Sequence, residues 1–367
     1  MGENDRPTTG RMAALRGPGR RRRPRSKALR ITAWTLAGAV ALGGLGLGYV
    51  YLRLNGNITG VDINAQLGKD RPKNIDNGSM DILVLGSDSR AGKNGQYGRD
   101  EGGARSDTAM IVHLYKGHQK ATVVSIPRDT LVHRPACTSS DGTSVPASSS
   151  DMFNDAYSVG GPACAVKTVE SMTGIRMDHY IEVDFTGFKN LIDAMGGVPI
   201  TTTKPINDRD SHLDLPAGTH TLGGEQALGL VRTRHGVGDG SDLGRIQLQQ
   251  AFMKALLAQA HSVGTLTNPA KLYKVADTAT KALTTDSELA SVNALVGFAE
   301  GLRNIKSGDL DMVTMPVQYD QADPNRVVPM ESKSALVWSA LRGDRPVPAA
   351  AKHGSAGDGA LARGWVK

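Results

Sequence analysis

The chain has 367 residues, 39% of them hydrophobic, which is enough for a core of ordinary size, and its aromatic share of 4% weighs against a nucleic-acid reader built on base-stacking platforms. Its formal charge of +7 is concentrated: residues 1–30 hold ten Lys or Arg against Glu3 and Asp5, so the body of the protein is near neutral and offers no spread basic surface for DNA. Two cysteines exclude a disulfide-dense miniprotein and, without suitably spaced histidines, a structural zinc site.

Directly behind the basic segment 1–30, residues 31–52, ITAWTLAGAVALGGLGLGYVYL, carry no charge. As a helix they would extend about 30 Å, the depth of a bilayer's hydrocarbon core. The spacing predicts one transmembrane helix, with the N-terminus in the cytoplasm by the positive-inside bias and the rest outside. The alternative is a signal peptide cleaved after AVA at 39–41, which leaves the apolar terminus LGGLGLGYVYL; a twin-arginine signal meets Pro24 and Lys27 where apolar residues belong. Residues 53–78 are rich in Gly, Asn and Pro without periodicity and read as a polar linker.

An extracellular domain then spans 79–343. MDILVLG (80–86), TAMIVHLY (108–115) and ATVVSI (121–126) are short β-rich runs bounded by turn residues. GPACAVKTVESMTG (161–174) predicts a helix with Pro162 near its start and Gly174 behind its end. HYIEVDF (179–185) is a strand, TGFKNLIDAMGG (186–197) a helix stopped by a glycine pair, and VPITT (198–202) a further strand. Residues 223–234, 243–262, 286–303 and 332–342 read as helices, with a late strand at DMVTMPV, 311–317. Interleaved periods of this kind predict an α/β fold, a central mixed β-sheet covered by helices on both faces, preceded by the single membrane helix. Residues 344–367, biased toward Ala, Gly and Pro, read as a disordered tail.

Cys137 and Cys164 flank the polar excursion TSSDGTSVPASSSD, 138–151. Pairing them would stabilise by ~3–4 kcal/mol on the chain-entropy model and fits an oxidising compartment; two buried free thiols are the alternative.

The charged residues fall where strands end or begin. Asp88 and Arg90 lie beyond the first strand, Arg105 and Asp107 just before the second, and Arg128 and Asp129 beyond the third. With the first two strands antiparallel and the third parallel to the first, one sheet rim collects at least three arginines and two or three aspartates. Taken singly, each is an ordinary turn residue. Arg232 and Arg234 follow a helix, where capping is the plainer reading, and Arg245 and Gln249 lie one turn apart on the next. No Ser-His-Asp set is present. A guanidinium fork suits phosphate oxygens, and a carboxylate pair suits Mg²⁺.

DILVLGSDSR, RSDTAMIV, VVSIPRDT, FNDAYSVGGP, DHYIEVDFTGFKNLIDAMGGV, GEQALGLVRTR and DLGRIQLQQ occur in an order that resembles the LytR-CpsA-Psr family over about 80–260. The resemblance implies a Mg²⁺-dependent phosphotransferase that moves a glycopolymer from a polyprenyl-pyrophosphate carrier onto peptidoglycan. It implies Mg²⁺ on Asp88 and Asp107, and pyrophosphate on Arg105, Arg128, Arg232, Arg234, Arg245 and Gln249, with Arg90 at the same rim; Arg105, Asp107 and Arg128 stand closest to the chemistry. Apolar helix faces over the sheet would take the lipid tail. In the implied reaction a peptidoglycan hydroxyl attacks the phosphorus bearing the polymer, polyprenyl phosphate leaves, and Asp107 or Asp129 assists deprotonation. Two positions often basic in that family are Met152 and Leu248 here. One rival stays open, a membrane-anchored protein that holds a polyprenyl-linked lipid without turnover or acts as a pyrophosphatase; a transcriptional regulator, suggested only by the basic N-terminus, fails because those arginines abut the span with no helix-turn-helix pattern. Anionic lipid headgroups explain those arginines better than nucleic acid does.

Overall fold

The computed structural model describes residues 32, 34, 43–87, 106–238, 240–262, 268–359 and 364–366. The chain divides into two compact units, Met1–Tyr51 and Leu52–Lys367. In the first, residues 43–51 are helical. Among the described residues no helix is long and apolar enough to cross a membrane; residues 31, 33 and 35–42 of the span expected at 31–52 lie outside them.

The second unit is organised by a seven-stranded sheet. Its strands are β1 (Thr59–Val61), β2 (Met80–Ser87), β3 (Ser106–Leu114), β4 (Ala121–Ile126), β5 (His179–Asp184), β6 (Leu283–Asp286) and β7 (Leu310–Thr314), in the order β1-β6-β5-β2-β3-β4-β7. β2–β3, β3–β4 and β5–β6 run antiparallel, whereas β1–β6, β2–β5 and β4–β7 run parallel, so the sheet is mixed. β4 is buried at every position from Ala121 to Ile126, as a strand covered on both faces must be.

Eight helices are used below: α1 (Ile63–Leu67), α2 (Phe153–Thr173), α3 (Phe185–Met195), α4 (Gly224–Arg232), α5 (Asp242–Ser262), α6 (Pro269–Ala282), α7 (Val292–Leu302) and α8 (Glu331–Arg342). Strand alternation sends Leu83, Leu85, Ile111, Val124 and Ile126 to one face, against Val169 of α2 and Trp338 of α8. Ile82, Leu114 and Ile181 face the other way, toward Leu257 of α5 and Phe298 of α7. A further core joins α3, α4 and α5 to the Val198–Thr202/Gly218–Leu222 hairpin through Ile192, Leu222, Leu230, Leu248 and Phe252. Helices thus cover both sheet faces.

Three expectations need correction. Residues 53–78 are not a spacer: β1 pairs with β6, α1 buries Ile63 and Leu67, and Arg71 Nη2 lies 2.6 Å from Glu170 Oε1. Three- and five-residue elements are too short to show a period, and tertiary contacts decide them. The described part of 344–367 is not a free tail. Ala351 is fully buried, and Val366 bridges Thr202 while Thr203 N donates to Trp365 O at 2.9 Å; its small residues pack instead of leaving the chain bare. The stretch expected as one helix over 286–303 starts as the end of β6, and α7 begins only where Ser291 Oγ caps Ala294 N at 3.2 Å.

α2 starts at Phe153, earlier than Pro162 suggested, and kinks at Gly161, whose φ of +69° admits few other residues. Cys164 on α2 is bonded to Cys137, with their Cα atoms 5.4 Å apart. Gly160 makes room for that bond, since a Cβ there would stand 2.0 Å from Cys164 Sγ.

Candidate active site

The strand directions converge on one rim. The end of β2 pairs Ser87 with Ser106 at the start of β3, and Ala109 of β3 pairs with Ile126 at the end of β4. A register shift between Gly86 and Ser87 bends β2 where it leaves the sheet. β5 ends at the same rim, with Asp184 beside Ser87. Asp88, Arg90 and Arg105 lie outside the described residues; the described part of the rim centres on Asp107 and Arg128.

β4 delivers Arg128 through a tight turn. Thr130 N and Oγ1 both donate to Pro127 O, at 3.1 and 2.6 Å, which turns the chain immediately after the strand. The first residues of α2 lock that turn from below: Phe153 N donates to Thr130 O at 2.9 Å and Asn154 N to Arg128 O at 3.2 Å. The backbone of Arg128 is therefore fixed by a strand on one side and a helix start on the other. Its guanidinium meets Asp107 through Nη1 and Oδ1, while its Nε lies 3.6 Å from Asp129 Oδ2 and 3.7 Å from Asp242 Oδ1.

α5 supplies the opposite wall. Gln250 Nε2 ties it to the sheet through Ser125 Oγ at 3.1 Å and Thr314 Oγ1 at 3.2 Å, and Gln249 Nε2 donates to Thr108 Oγ1 and Val231 O, both at 2.9 Å. That docking sets the first turn of α5 on the rim. Arg245 Nη2 lies 2.5 Å from Asp242 Oδ1 and donates to Asp107 O at 2.8 Å; Arg234 Nη2 reaches Asp242 Oδ1 at 3.1 Å. Arg232 turns toward the start of α3, its guanidinium 5.1 Å from the centre of the Phe185 ring.

The loop bearing Arg234 is pinned by Asp208. Its carboxylate accepts Arg234 N at 2.8 Å, His235 N at 3.0 Å, Asp210 N at 2.9 Å and Ser211 N at 3.3 Å. Burial pushes the Asp208 carboxyl up, but these four donors outweigh it and hold it below its ordinary value.

Among the described residues Arg128, Arg234 and Arg245 stand together with Asp107, Asp129 and Asp242, while Arg232 and Arg326 border them, the latter shared between Asp129 and Asp323. Burial pushes the Asp107 carboxyl up, yet Arg245 and Arg128 together draw it below the usual carboxylate range. For Arg128, burial acts downward and Asp107, Asp242 and Asp129 more than restore its charge. For Arg234 burial and the neighbouring Arg245 and Arg128 prevail, and its affinity for a proton is lowered. Guanidinium groups held in a fixed array suit an anion with several oxygens.

Among the described residues, the buried side-chain atoms without a hydrogen-bond partner include Arg128 Nε, Arg245 Nε and Asp242 Oδ2 of this cluster. Two unspent donors and one unspent acceptor in a single cluster are what a polyanion and its counter-cation would use. Of the residues expected from sequence, Asp107, Arg128, Arg234, Arg245 and Gln249 are brought together, and Arg232 borders them. Asp242 and Arg326 were not expected. The i,i+3 spacing of Asp242 and Arg245 in SDLGR is the signal that identifies the first; Arg326 lies in a loop and carries no local signal.

With this geometry in hand, a model of the LytR_cpsA_psr family matches residues 50–341. The chain is 35% identical over 305 residues to the cell wall biosynthesis protein LcpA of Corynebacterium glutamicum, covering 74% of this chain and 57% of that protein. It is 31% identical over 299 residues to the polyisoprenyl-teichoic acid–peptidoglycan teichoic acid transferase TagT of Bacillus subtilis, covering 78% of this chain and 86% of TagT. A solved structure of TagT bound to LIIa-WTA superposes with a TM-score of 0.55 at 26% identity, covering 75% of this chain and 94% of that one.

Proposed function

Because the chain belongs to the LytR-CpsA-Psr family, we propose that it transfers a glycopolymer from a polyprenyl-pyrophosphate carrier to a hydroxyl of peptidoglycan, releasing polyprenyl phosphate. The observation that carries the reading is the guanidinium array around Arg128, with two buried Nε–H groups unspent. Phosphoryl transfer asks for positioning and charge neutralisation more than for covalent help from the protein, and a rigid array supplies both without reorganisation. Arg128 and Arg245 would hold the pyrophosphate oxygens, with Arg105, Arg90, Arg232 and Arg234 around them. Asp107 or Asp129 would accept the proton of the attacking hydroxyl.

Mg²⁺ belongs to the same proposal. Asp88 and Asp107 would hold it; carboxylate oxygens suit this hard cation, and the unpartnered Oδ2 of Asp242 adds an acceptor of the same kind nearby. When bound it would neutralise charge on the pyrophosphate. The basic segment 1–30 and the apolar span 31–52 would anchor the protein in the cell membrane, N-terminus inside, with the catalytic unit outside among peptidoglycan and lipid-linked glycan.

The test follows release of polyprenyl monophosphate from a polyprenyl-pyrophosphate-linked sugar by the full-length protein, with peptidoglycan fragments and Mg²⁺, beside an Arg128→Ala control. Release that needs Arg128, with sugar appearing on peptidoglycan, is expected. Release without transfer would make the protein a pyrophosphatase, and binding without release would make it a lipid-holding protein.

A further inference from the structure

Arg326 enters the rim from an element to which the proposed chemistry gives no role. β7 runs parallel to β4, so the chain leaves the sheet on the side of Arg128 and folds into a short hairpin, Val317–Tyr319 against Val327–Pro329. That hairpin is docked on the residues after Arg128: Val327 N donates to Asp129 O at 3.3 Å, and Val327 bridges Thr130 in parallel register. Its tip is closed by Asp320 N donating to Arg326 O at 3.0 Å, Arg326 N to Asp323 O at 2.9 Å, and Asp323 N to Asp320 Oδ2 at 3.1 Å. Arg326 is thereby held in place by its backbone, with about a third of its side chain exposed.

Asp129 stands between two cations. One oxygen faces Arg326 Nη1 at 3.8 Å, and the other faces Arg128 Nε at 3.6 Å, beyond hydrogen-bond reach. Arg128 Nε is buried and has no hydrogen-bond partner, although two carboxylates lie next to it: Asp242, 3.7 Å away, is already taken by Arg245 and Arg234, whereas Asp129 has Arg326 on its other side. Left alone with Arg128, a carboxylate at that distance closes into a charge-assisted hydrogen bond. Something holds it off, and on the other side of the carboxylate stands Arg326.

We infer that Arg326 is a positioning residue that draws Asp129 outward and keeps Arg128 Nε open for a phosphate oxygen of the substrate. The inference rests on the phosphotransferase reading, and it assigns Arg326 no contact with substrate. Without Arg326, Asp129 settles on Arg128 Nε, and an incoming phosphate must break that bond before it can bind.

The experiment titrates the full-length protein with inorganic pyrophosphate by calorimetry, as wild type, Arg326→Ala, Arg326→Lys, Asp129→Ala and the Arg326→Ala/Asp129→Ala double variant. Arg326→Ala is expected to weaken binding about tenfold, the worth of one charge-assisted hydrogen bond, with Arg326→Lys recovering part of the loss. In the Asp129→Ala background, loss of Arg326 is expected to change nothing. An equal loss in that background would make Arg326 a direct phosphate contact and overturn the inference, as would an unchanged affinity in the single variant. The same variants without ligand, labelled with ¹⁵N-arginine, give a separate reading: the Arg128 Nε–H exchanges with water more slowly in Arg326→Ala if Asp129 has closed on it. A wild type that binds no pyrophosphate while this exchange slows would defeat the phosphotransferase reading and leave the positioning intact; unchanged exchange defeats the positioning.

Discussion

Asp242 and Arg245, one turn apart at the start of α5, meet at 2.5 Å, and the same Asp242 oxygen also takes Arg234 at 3.1 Å while the other stays buried and unpartnered. One carboxylate oxygen thus compensates two guanidinium groups, with Arg128 3.7 Å away as a third neighbour. Asp242→Asn keeps the shape and removes the charge. It is expected to cost about 2 kcal/mol, a Tm lower by roughly 4–8 °C, because three cations are left facing one another in a half-dry site. Thermal unfolding checks this, and an unchanged Tm would show that Asp242 is not the group balancing them.

Arg128 is presented by a turn that is hydrogen-bonded from both sides, so substitution there removes a side chain without loosening its mount. Arg128→Ala is expected to lower transfer by roughly 10²–10³-fold, the range for one preorganised donor of a transition-state site, and to lower Tm as well, since Asp107 loses one of the cations that hold it charged. Arg128→Lys is expected to recover only a small part, since an ammonium cannot present the planar fork. Single-turnover rates separate this from weakened binding.

Much of this architecture was legible in the residues. Apolar runs at 80–86, 108–115 and 121–126 marked the strands, and their directions placed Asp107 and Arg128 together because the end of one strand and the start of its antiparallel neighbour share an edge. β1 and β6 were not legible, since TGV and LTTD carry no pattern and become strands only through their partners. Asp208 illustrates the limit for the site: no local pattern marks it, and only folding brings four backbone N–H groups to its carboxylate. Leu248 illustrates the reverse. Read against the family pattern it is a lost charge at the site, but its side chain is fully buried beside Ile192 and Phe252, so it belongs to a core.

The Asp107 carboxyl gives the site an acid limit. Burial raises its pKa and Arg245 with Arg128 lowers it further, so the folded value lies below the unfolded one, about 3.9. A depressed carboxylate contributes stability above the unfolded value and loses it as pH falls through the folded value. Denaturant unfolding between pH 5 and pH 3 is expected to show a steeper loss for the wild type than for Asp107→Asn. Parallel curves would mean that the Asp107 pair contributes nothing to folding.

Cys137 and Cys164 join the strand region behind Arg128 to α2, the helix whose first residues hold the Arg128 turn. Replacing both by serine is expected to cost ~3 kcal/mol, from the freedom returned to the unfolded chain. Gly160→Ala is expected to act on the same bond, because its Cβ would fall 2.0 Å from Cys164 Sγ and force α2 to shift. Free-thiol titration of Gly160→Ala under native conditions checks the second outcome; a fully bonded pair with wild-type Tm would mean that the helix yields easily there.

His113 tests whether the stretch past residue 343 is part of the fold. It is wholly buried in β3, with Asp81 Oδ1 at 2.8 Å from Nδ1 and Asp344 Oδ1 at 3.2 Å from Nε2. Burial drives its pKa down, but the two carboxylates, Asp81 first, outweigh burial and raise it above the ordinary value. A raised histidine contributes stability that is complete below the unfolded value of about 6.5 and is lost as pH rises through the folded value. Stability is therefore expected to decline from neutral toward alkaline pH in the wild type. Asp344→Asn should flatten that decline, since it removes one of the two charges that favour the imidazolium. Asp344 also holds a left-handed backbone, φ +52°, which asparagine tolerates, so the substitution changes charge with little strain. If Asp344→Asn left the pH profile untouched, the C-terminal stretch would be lying against His113 without holding it.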